Sequence, residues 1–312
     1  MARRRLRTIF FGSAQFSLPS LDALVRRHDV IAVVTQPDRP AGRGLRLAAT
    51  PVSGVAERAS IAVHKPSKLD ATFAAALAEM DPELIAVASY GKIVPRAVLQ
   101  IASVQAALNV HPSLLPQYRG ATPIQSALRD GRTSTGVTIF WMVQTLDAGD
   151  IALSERVPIA PADTYGTLHD SLAHIGADLL LRATEQLVDG VLPRIPQNEN
   201  QATFTKPLSK EELRLDCTRS ADAVVDQIRA LSPRPGAWIE TGGARLKILS
   251  ARAVTSGRSS EPKEGRPGDV SFDAARTLIQ ARPGWVEVLR LIPAGKPEMS
   301  GHQFAQRQRG DR

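Results

Sequence analysis

Asn109 and His111 stand two residues apart, at the end of the apolar run 105–110 and directly before Pro112. In extended backbone alternate side chains share a face. Pro112 pushes His111 towards that extended conformation. The spacing therefore aims an amide donor, and a ring that takes or gives a proton near neutral pH, at one spot. An Asn and a His in a strand-end loop also occur as plain packing residues, so the pair alone leaves both readings open. Asp147, in Leu146-Asp147-Ala148-Gly149-Asp150, is a candidate third member. Its carboxylate would accept the other imidazole N–H, fix the tautomer and stabilise the cation that forms. The competing reading is a turn held by an Asx hydrogen bond, with Gly149 supplying a positive φ.

An alternating fold must position these residues. Residues 6–11 form a short apolar run ending in Gly12-Ser13, followed by a helical pattern over 17–27 and a β-branched run at 30–35. Thr50-Pro51 reads as a helix start, Thr as cap and Pro at the first helical position, with the helix running to about residue 59. A short strand at 61–63, a helix at 71–80 and the continuous apolar runs 84–88 and 105–110 come next. Strands alternating with helices predict an α/β domain with a Rossmann-like parallel sheet, which places ligands at strand ends. Two further strands are expected at 135–142 and 151–157. A helix over 164–189 follows, with Leu168, Leu172, Ile175, Leu179, Ala183 and Leu187 as its buried stripe.

Pro193, Pro196, Pro207 and a set of Asn and Gln residues interrupt any periodicity over 191–207, which reads as a linker. Beyond it a helix is expected at 221–230. Short β-like runs at 237–241, 245–249, 278–281 and 285–292 then suggest a small OB-like β-barrel. The expected organisation is a catalytic domain at 1–190, a linker at 191–207 and an OB-like domain at 208–312. The stretch 256–267 is expected to be a mobile loop and the last ten residues to be frayed.

The common cofactor motifs are missing. The turn after the first strand, Gly12-Ser13-Ala14-Gln15-Phe16, has one glycine, and Gly42-Arg43-Gly44 sits in a Pro-rich loop, so a nicotinamide cofactor is not expected. Neither a P-loop nor a G-x-S-x-G elbow is present. His169 and His174, five apart on a helix, lie on different faces and do not suit a shared metal. Together with His28, His64 and His302 they read as surface or packing histidines. The single cysteine, Cys217, excludes an intramolecular disulfide and a Cys-rich zinc site.

With 312 residues the chain is long enough for two domains, and 43% hydrophobic with 22% charged residues is ordinary for a globular protein. Lys and Arg number 39 against 31 Asp and Glu, a net charge of +8. Such a surplus favours an anionic partner, nucleic acid first, although a merely basic surface gives the same number. Residues 1–207 hold 21 basic and 18 acidic side chains, and 208–312 hold 18 and 13, so the surplus is denser in the second part. The arginine-rich start is followed by too short an apolar stretch for an export segment or a membrane span. A cytoplasmic protein is expected.

Several stretches together resemble the methionyl-tRNA formyltransferases, within the wider folate-dependent formyltransferases. They are Phe11-Gly12, Pro37-Asp38-Arg39-Pro40-Ala41-Gly42-Arg43-Gly44, Asn109 through Gly120 with Pro123-Ile124, and Thr135-Gly136-Val137-Thr138. Leu146 through Asp150, Phe204-Thr205-Lys206 and Arg234-Pro235-Gly236-Ala237-Trp238 complete the set. The resemblance implies formyl transfer from 10-formyltetrahydrofolate to the α-amino group of methionine on initiator tRNA. It assigns Asn109, His111 and Asp147 to catalysis and Ser113, Leu114, Leu115 and Pro116 to the tetrahydrofolate site. By the same resemblance Arg43 is the key arginine of a loop near the tRNA acceptor end. Lys206 and Lys210 are further candidates for tRNA phosphate contacts. A monomer is expected, with no metal and no membrane partner. The chain departs from the family at Thr145, where Gly is usual, at the bulky Phe140-Trp141-Met142, and in lacking a Lys at 45–48, where Arg46 offers the charge. Two alternatives stand beside this reading. One is a formyltransferase or formyl hydrolase using 10-formyltetrahydrofolate with a small-molecule substrate. The other is a non-catalytic RNA-binding relative, against which the intact Asn109, His111 and Asp147 argue.

Overall fold

The computed structural model describes residues 4–41, 46–103, 106–254, 265–273 and 276–310. Arg43 and most of the loop expected at 256–267 lie outside them. The chain divides into two units, Met1–Pro123, Ser134–Pro158 and His169–Thr205 in one, Ile124–Thr133, Ile159–Leu168 and Lys206–Arg312 in the other.

Through Thr205 the described chain runs β1 (Arg7–Gly12), α1 (Leu18–Arg27), β2 (Asp29–Val34), the hairpin strands β3 (Arg39–Ala41) and β4 (Arg46–Ala48), α2 (Pro51–Arg58) and β5 (Ala62–His64). It continues through α3 (Ala71–Ala78), β6 (Leu84–Ala88), α4 (Arg96–Leu99), β7 (Ala106–His111), β8 (Arg119–Gly120) and α5 (Pro123–Arg129). Strands β9 (Ser134–Trp141) and β10 (Ile151–Pro158), helix α6 (Tyr165–Val188) and the short β11 (Phe204–Thr205) follow. Thr50 caps α2 as its sequence predicts, its hydroxyl accepting the Ser53 N–H at 3.1 Å, with Pro51 in the first turn.

Seven of these strands form one sheet in the order β10-β9-β7-β6-β1-β2-β5. The five from β7 to β5 are parallel, because helical crossovers return the chain to the same end of the sheet each time. Strands β9 and β10 run antiparallel, the second returning through the loop 142–150. Strand β6 is buried at every residue, as a strand covered on both faces must be. On one face Ile9, Phe11, Val34, Ile85, Val87 and Ala107 pack with residues of α3 and α4. On the other, Val110 lies against Gly176 of α6. In α6, Leu168, Leu172, Leu179 and Ala183 are buried, while Ile175 and Leu187 are half-buried.

The second unit contains α7 (Ala221–Leu231), β12 (Ala237–Thr241), β13 (Ala244–Val254), β14 (Val270–Asp273), β15 (Arg276–Gln280), β16 (Trp285–Pro293), β17 (Met299–Ser300) and α8 (Gly301–Gly310). Its antiparallel sheet has the order β12-β13-β16-β15-β14, with β17 on β16. Val224, Ile228 and Leu231 of α7 share a core with Leu246, Ile248, Ile279 and Val286. Irregular register between Ile248 and Ala251 accompanies the pairing of β13 with β16. Among the described residues β12 and β14 are not paired with each other, so the sheet is a half-barrel. The chain end departs from expectation: 301–310 are helical rather than frayed. Phe304 and Ala305 are buried, and the Phe304 ring meets Phe272 edge-on at 5.9 Å. Two anchoring residues suffice where a run of Gln, Arg and His hides any apolar period. Among the described residues no helix is long and apolar enough to cross a membrane.

Candidate active site

Strand β7 carries Asn109 and His111 on one face, that of Ala107 and away from α6, as alternation in a strand requires. Asn109 is half-buried and pairs with Val87 of β6 and Phe140 of β9. His111 is buried, its ring edge-on to Phe140 at 6.4 Å between centroids. Nε2 of His111 lies 3.0 Å from the Tyr118 carbonyl oxygen. A carbonyl only accepts, so Nε2 carries the hydrogen and donates it. In the neutral ring Nδ1 is then the free acceptor. It faces Asp147 Oδ2 at 3.7 Å, too far for a hydrogen bond but within ion-pair range once the ring is charged. The tautomer is thus set by a backbone carbonyl, while Asp147 faces the nitrogen that receives a proton.

The loop after β7 is pinned by its own polar atoms. The Ser113 hydroxyl donates to the Gln117 carbonyl at 2.6 Å. The Thr138 hydroxyl in β9 donates to the Ser113 carbonyl at 2.7 Å and accepts the Leu115 N–H at 3.1 Å. The Leu115–Pro116 peptide is cis. Ser113 and Leu115 are buried by this arrangement, and Leu114 and Pro116 keep accessible surface. Leu146, beside Asp147, is an exposed large apolar side chain.

Asp147 adopts φ +49°, a left-handed conformation that Asp tolerates better than most residues. Its Oδ2 accepts the Gly120 N–H at 2.7 Å. Gln197 Nε2 donates to the Asp147 and Gly149 carbonyls at 2.8 and 2.7 Å. Behind this turn lies Arg119, whose side chain is only 2% exposed. It donates to the Glu199 carboxylate at 2.9 and 2.7 Å and to Gln197 Oε1 at 3.2 and 2.8 Å. The hydrogen bonds from Arg119 hold the Glu199 carboxyl below its ordinary range. Residues 191–205 also cover the bulky segment of β9: Trp141 Nε1 donates to the Pro193 carbonyl at 2.7 Å, and the Arg194 guanidinium stacks 3.7 Å from its ring centroid.

The structure therefore brings together Asn109, His111, Asp147 and the 113–116 loop. Lys206 and Lys210 are exposed residues of the second unit. Sequence reasoning did not reach the Tyr118 carbonyl, the Gly120 N–H, Arg119 or Gln197. Main-chain atoms carry no residue signature, and the Arg–Gln contact spans 78 positions. Among the described residues no group of three or more His, Cys, Asp and Glu is placed to hold a metal ion. The second unit has a cavity of about 610 Å³ whose lining includes Arg245, Lys296, Arg307, Met299 and Phe304.

Residues 6–184 match the family model described as formyl transferase, and 207–309 match that of the formyl transferase C-terminal domain. The chain belongs to the formyl transferase family. Within it, the chain is 41% identical over 303 residues to the methionyl-tRNA formyltransferase of Moorella thermoacetica, covering 96% of each. Identity to that of Listeria monocytogenes is 40% over 299 residues, covering 95% of this chain and 94% of the relative. Among solved structures the fold is shared with the sugar 3N-formyl transferase WlaRD, at a TM-score of 0.68 and 14% identity over 95% of this chain and 100% of that one. It is also shared with HypX from Aquifex aeolicus in complex with tetrahydrofolic acid, at a TM-score of 0.64 and 18% identity. That match covers 96% of this chain, which spans only 47% of HypX.

Proposed function

We propose that this protein transfers the formyl group of 10-formyltetrahydrofolate to the α-amino group of methionyl-initiator tRNA, for the start of protein synthesis. The observation that carries the reading is the convergence of Asn109, His111 and Asp147 at the end of β7, in a chain 41% identical to a methionyl-tRNA formyltransferase. The neutral amine attacks the formyl carbon, and a new C–N bond forms as the carbonyl becomes an oxyanion. The Asn109 amide donates to that oxyanion, a contribution of about 10²–10³ in rate. His111 Nδ1 takes the proton lost by the attacking amine, and Asp147 faces the imidazolium so formed. The bond to N10 then breaks, and the proton passes to that nitrogen. General acid–base help of this kind is worth about 10²–10⁴. The step as written uses no metal and no covalent enzyme intermediate.

Leu114, Pro116 and Leu146 keep apolar surface accessible, which suits a flat reduced folate bearing a formyl group. Ser113 and Leu115 support the same loop from inside. Arg43, Lys206 and Lys210 contact the tRNA, the lysines and the basic cavity of Arg245, Lys296 and Arg307 meeting phosphates. Residues 1–190 carry the trio, 191–207 brace the Asp147 turn and lead on to the second domain, and 208–312 hold the tRNA. The protein works as a monomer in the cytoplasm. The test is incubation with 10-formyltetrahydrofolate and charged initiator tRNA, with uncharged and no-tRNA controls. Formyl-methionyl-tRNA should form only with the charged tRNA, and His111→Ala should lower kcat at least a hundredfold. Near-normal kcat in folded His111→Ala, or formyl turnover without tRNA, would overturn the reading.

A further inference from the structure

We infer that Gln197, backed by Arg119 and Glu199, is a positioning residue that holds the Asp147 turn in its catalytic geometry; this rests on Asp147 belonging to the trio above. The orientation of the Gln197 amide follows from its partners. On one side it meets a guanidinium, which only donates, and on the other two carbonyls, which only accept. Oε1 must therefore face Arg119 and Nε2 must face the Asp147 and Gly149 carbonyls. Both Nε2 hydrogens are used on one turn, on either side of Ala148. The Asp147 backbone is in the left-handed region at φ +49°, a conformation that needs outside support to persist.

Arg119 makes this support rigid. Its guanidinium is almost fully buried yet bonded along two edges, to Gln197 and to Glu199. A buried guanidinium without those partners is strongly unfavourable, so the pair of acceptors has little freedom to leave. The main chain next to Arg119 closes the circuit: Gly120 N–H donates to Asp147 Oδ2, and Arg119 N–H donates to the Thr203 carbonyl at 2.8 Å. Asp147 is thus gripped at its carboxylate from Gly120 and at its carbonyl from Gln197, and both grips trace back to Arg119. The carboxylate then faces His111 Nδ1 at a fixed separation. Catalytic geometry is sensitive to displacements of about 1 Å, which cost on the order of a hundredfold in rate.

Gln197→Glu is the informative change. It keeps the acceptor for Arg119, removes both N–H donors and turns an oxygen towards the two carbonyls. Gln197 is only partly buried, so the fold tolerates it. Steady-state formylation is measured for Gln197→Glu and Gln197→Met beside Asp147→Asn, varying each substrate in turn. The expected result is a fall in kcat of about tenfold or more in both Gln197 variants, with both KM values within about twofold of wild type. A kcat within twofold of wild type while Asp147→Asn is impaired overturns the positioning role and leaves the trio intact. The same holds for a loss that merely follows the folded fraction measured by circular dichroism. A near-normal Asp147→Asn overturns the trio and this inference with it.

Discussion

Gly120→Ala tests how tightly the site depends on its backbone. Gly120 has φ +110°, a region essentially closed to residues with a Cβ. A Cβ there would lie 2.3 Å from the Thr205 carbonyl oxygen. An ordinary C···O contact is roughly 3.3–3.6 Å, so β8 and β11 must part by about 1 Å. Backbone strain of about 1–3 kcal/mol adds to about 1–3 kcal/mol of overpacking, about 2–6 kcal/mol together. At about 2–4 °C per kcal/mol this lowers Tm by roughly 5–20 °C. The same movement carries away the N–H that holds Asp147, so kcat should fall about a hundredfold at temperatures where the variant is folded. Gly190→Ala is the control. Gly190 has φ +70° just after α6, and a methyl group added there would meet nothing within 4 Å. It should lose about 1 kcal/mol, a few degrees in Tm, and keep its kcat. Differential scanning calorimetry and steady-state kinetics on both variants decide the matter. If Gly120→Ala matches Gly190→Ala in Tm and kcat, the coupling of β8 to Asp147 is refuted.

Other outcomes are equally specific. His28 is buried, accepts the Leu6 N–H at Nδ1 and lies 2.9 Å from Thr184 Oγ1 through Nε2, and burial pushes its pKa below the ordinary 6.5. The unfolded chain therefore binds its proton first as pH falls, so this stabilisation is present above pH 6.5 and lost through the interval down to the folded pKa. Urea unfolding from pH 7 to about pH 5 should show a steeper loss in wild type than in His28→Gln, and parallel curves would refute it. Burial pushes the Cys217 thiol up to about 11, so a thiol reagent at about pH 8 should label the native protein far more slowly than the unfolded one. Replacing Lys206 and Lys210 singly by Ala should raise KM for Met-tRNA and reduce the salt dependence of binding by about one unit of slope each, with the folate KM unchanged. Unaltered salt slopes would remove both lysines from the interface.

Much of the fold was legible because its signals are local. The five apolar residues of β6 reproduce the strand, and Thr50-Pro51 starts α2 where the capping rule puts it. The Asn109-x-His111-Pro112 spacing places both side chains on one face. The reversal of β9 against β7 was less legible, since periodicity gives a strand but not its direction. The last helix was missed because Phe304 and Ala305 acquire meaning only against the sheet they touch.

By itself, then, the sequence determined which side chains share one face at the end of β7 and which elements deliver them, because alternation, capping and composition are properties of neighbouring residues. Only the tertiary structure decided which imidazole nitrogen is free, since the Tyr118 carbonyl sets the tautomer. It also decided that Asp147 is held by the Gly120 N–H and by Gln197, 50 residues further along. Main-chain donors and acceptors are the same at almost every position, so which of them converge is settled by packing alone.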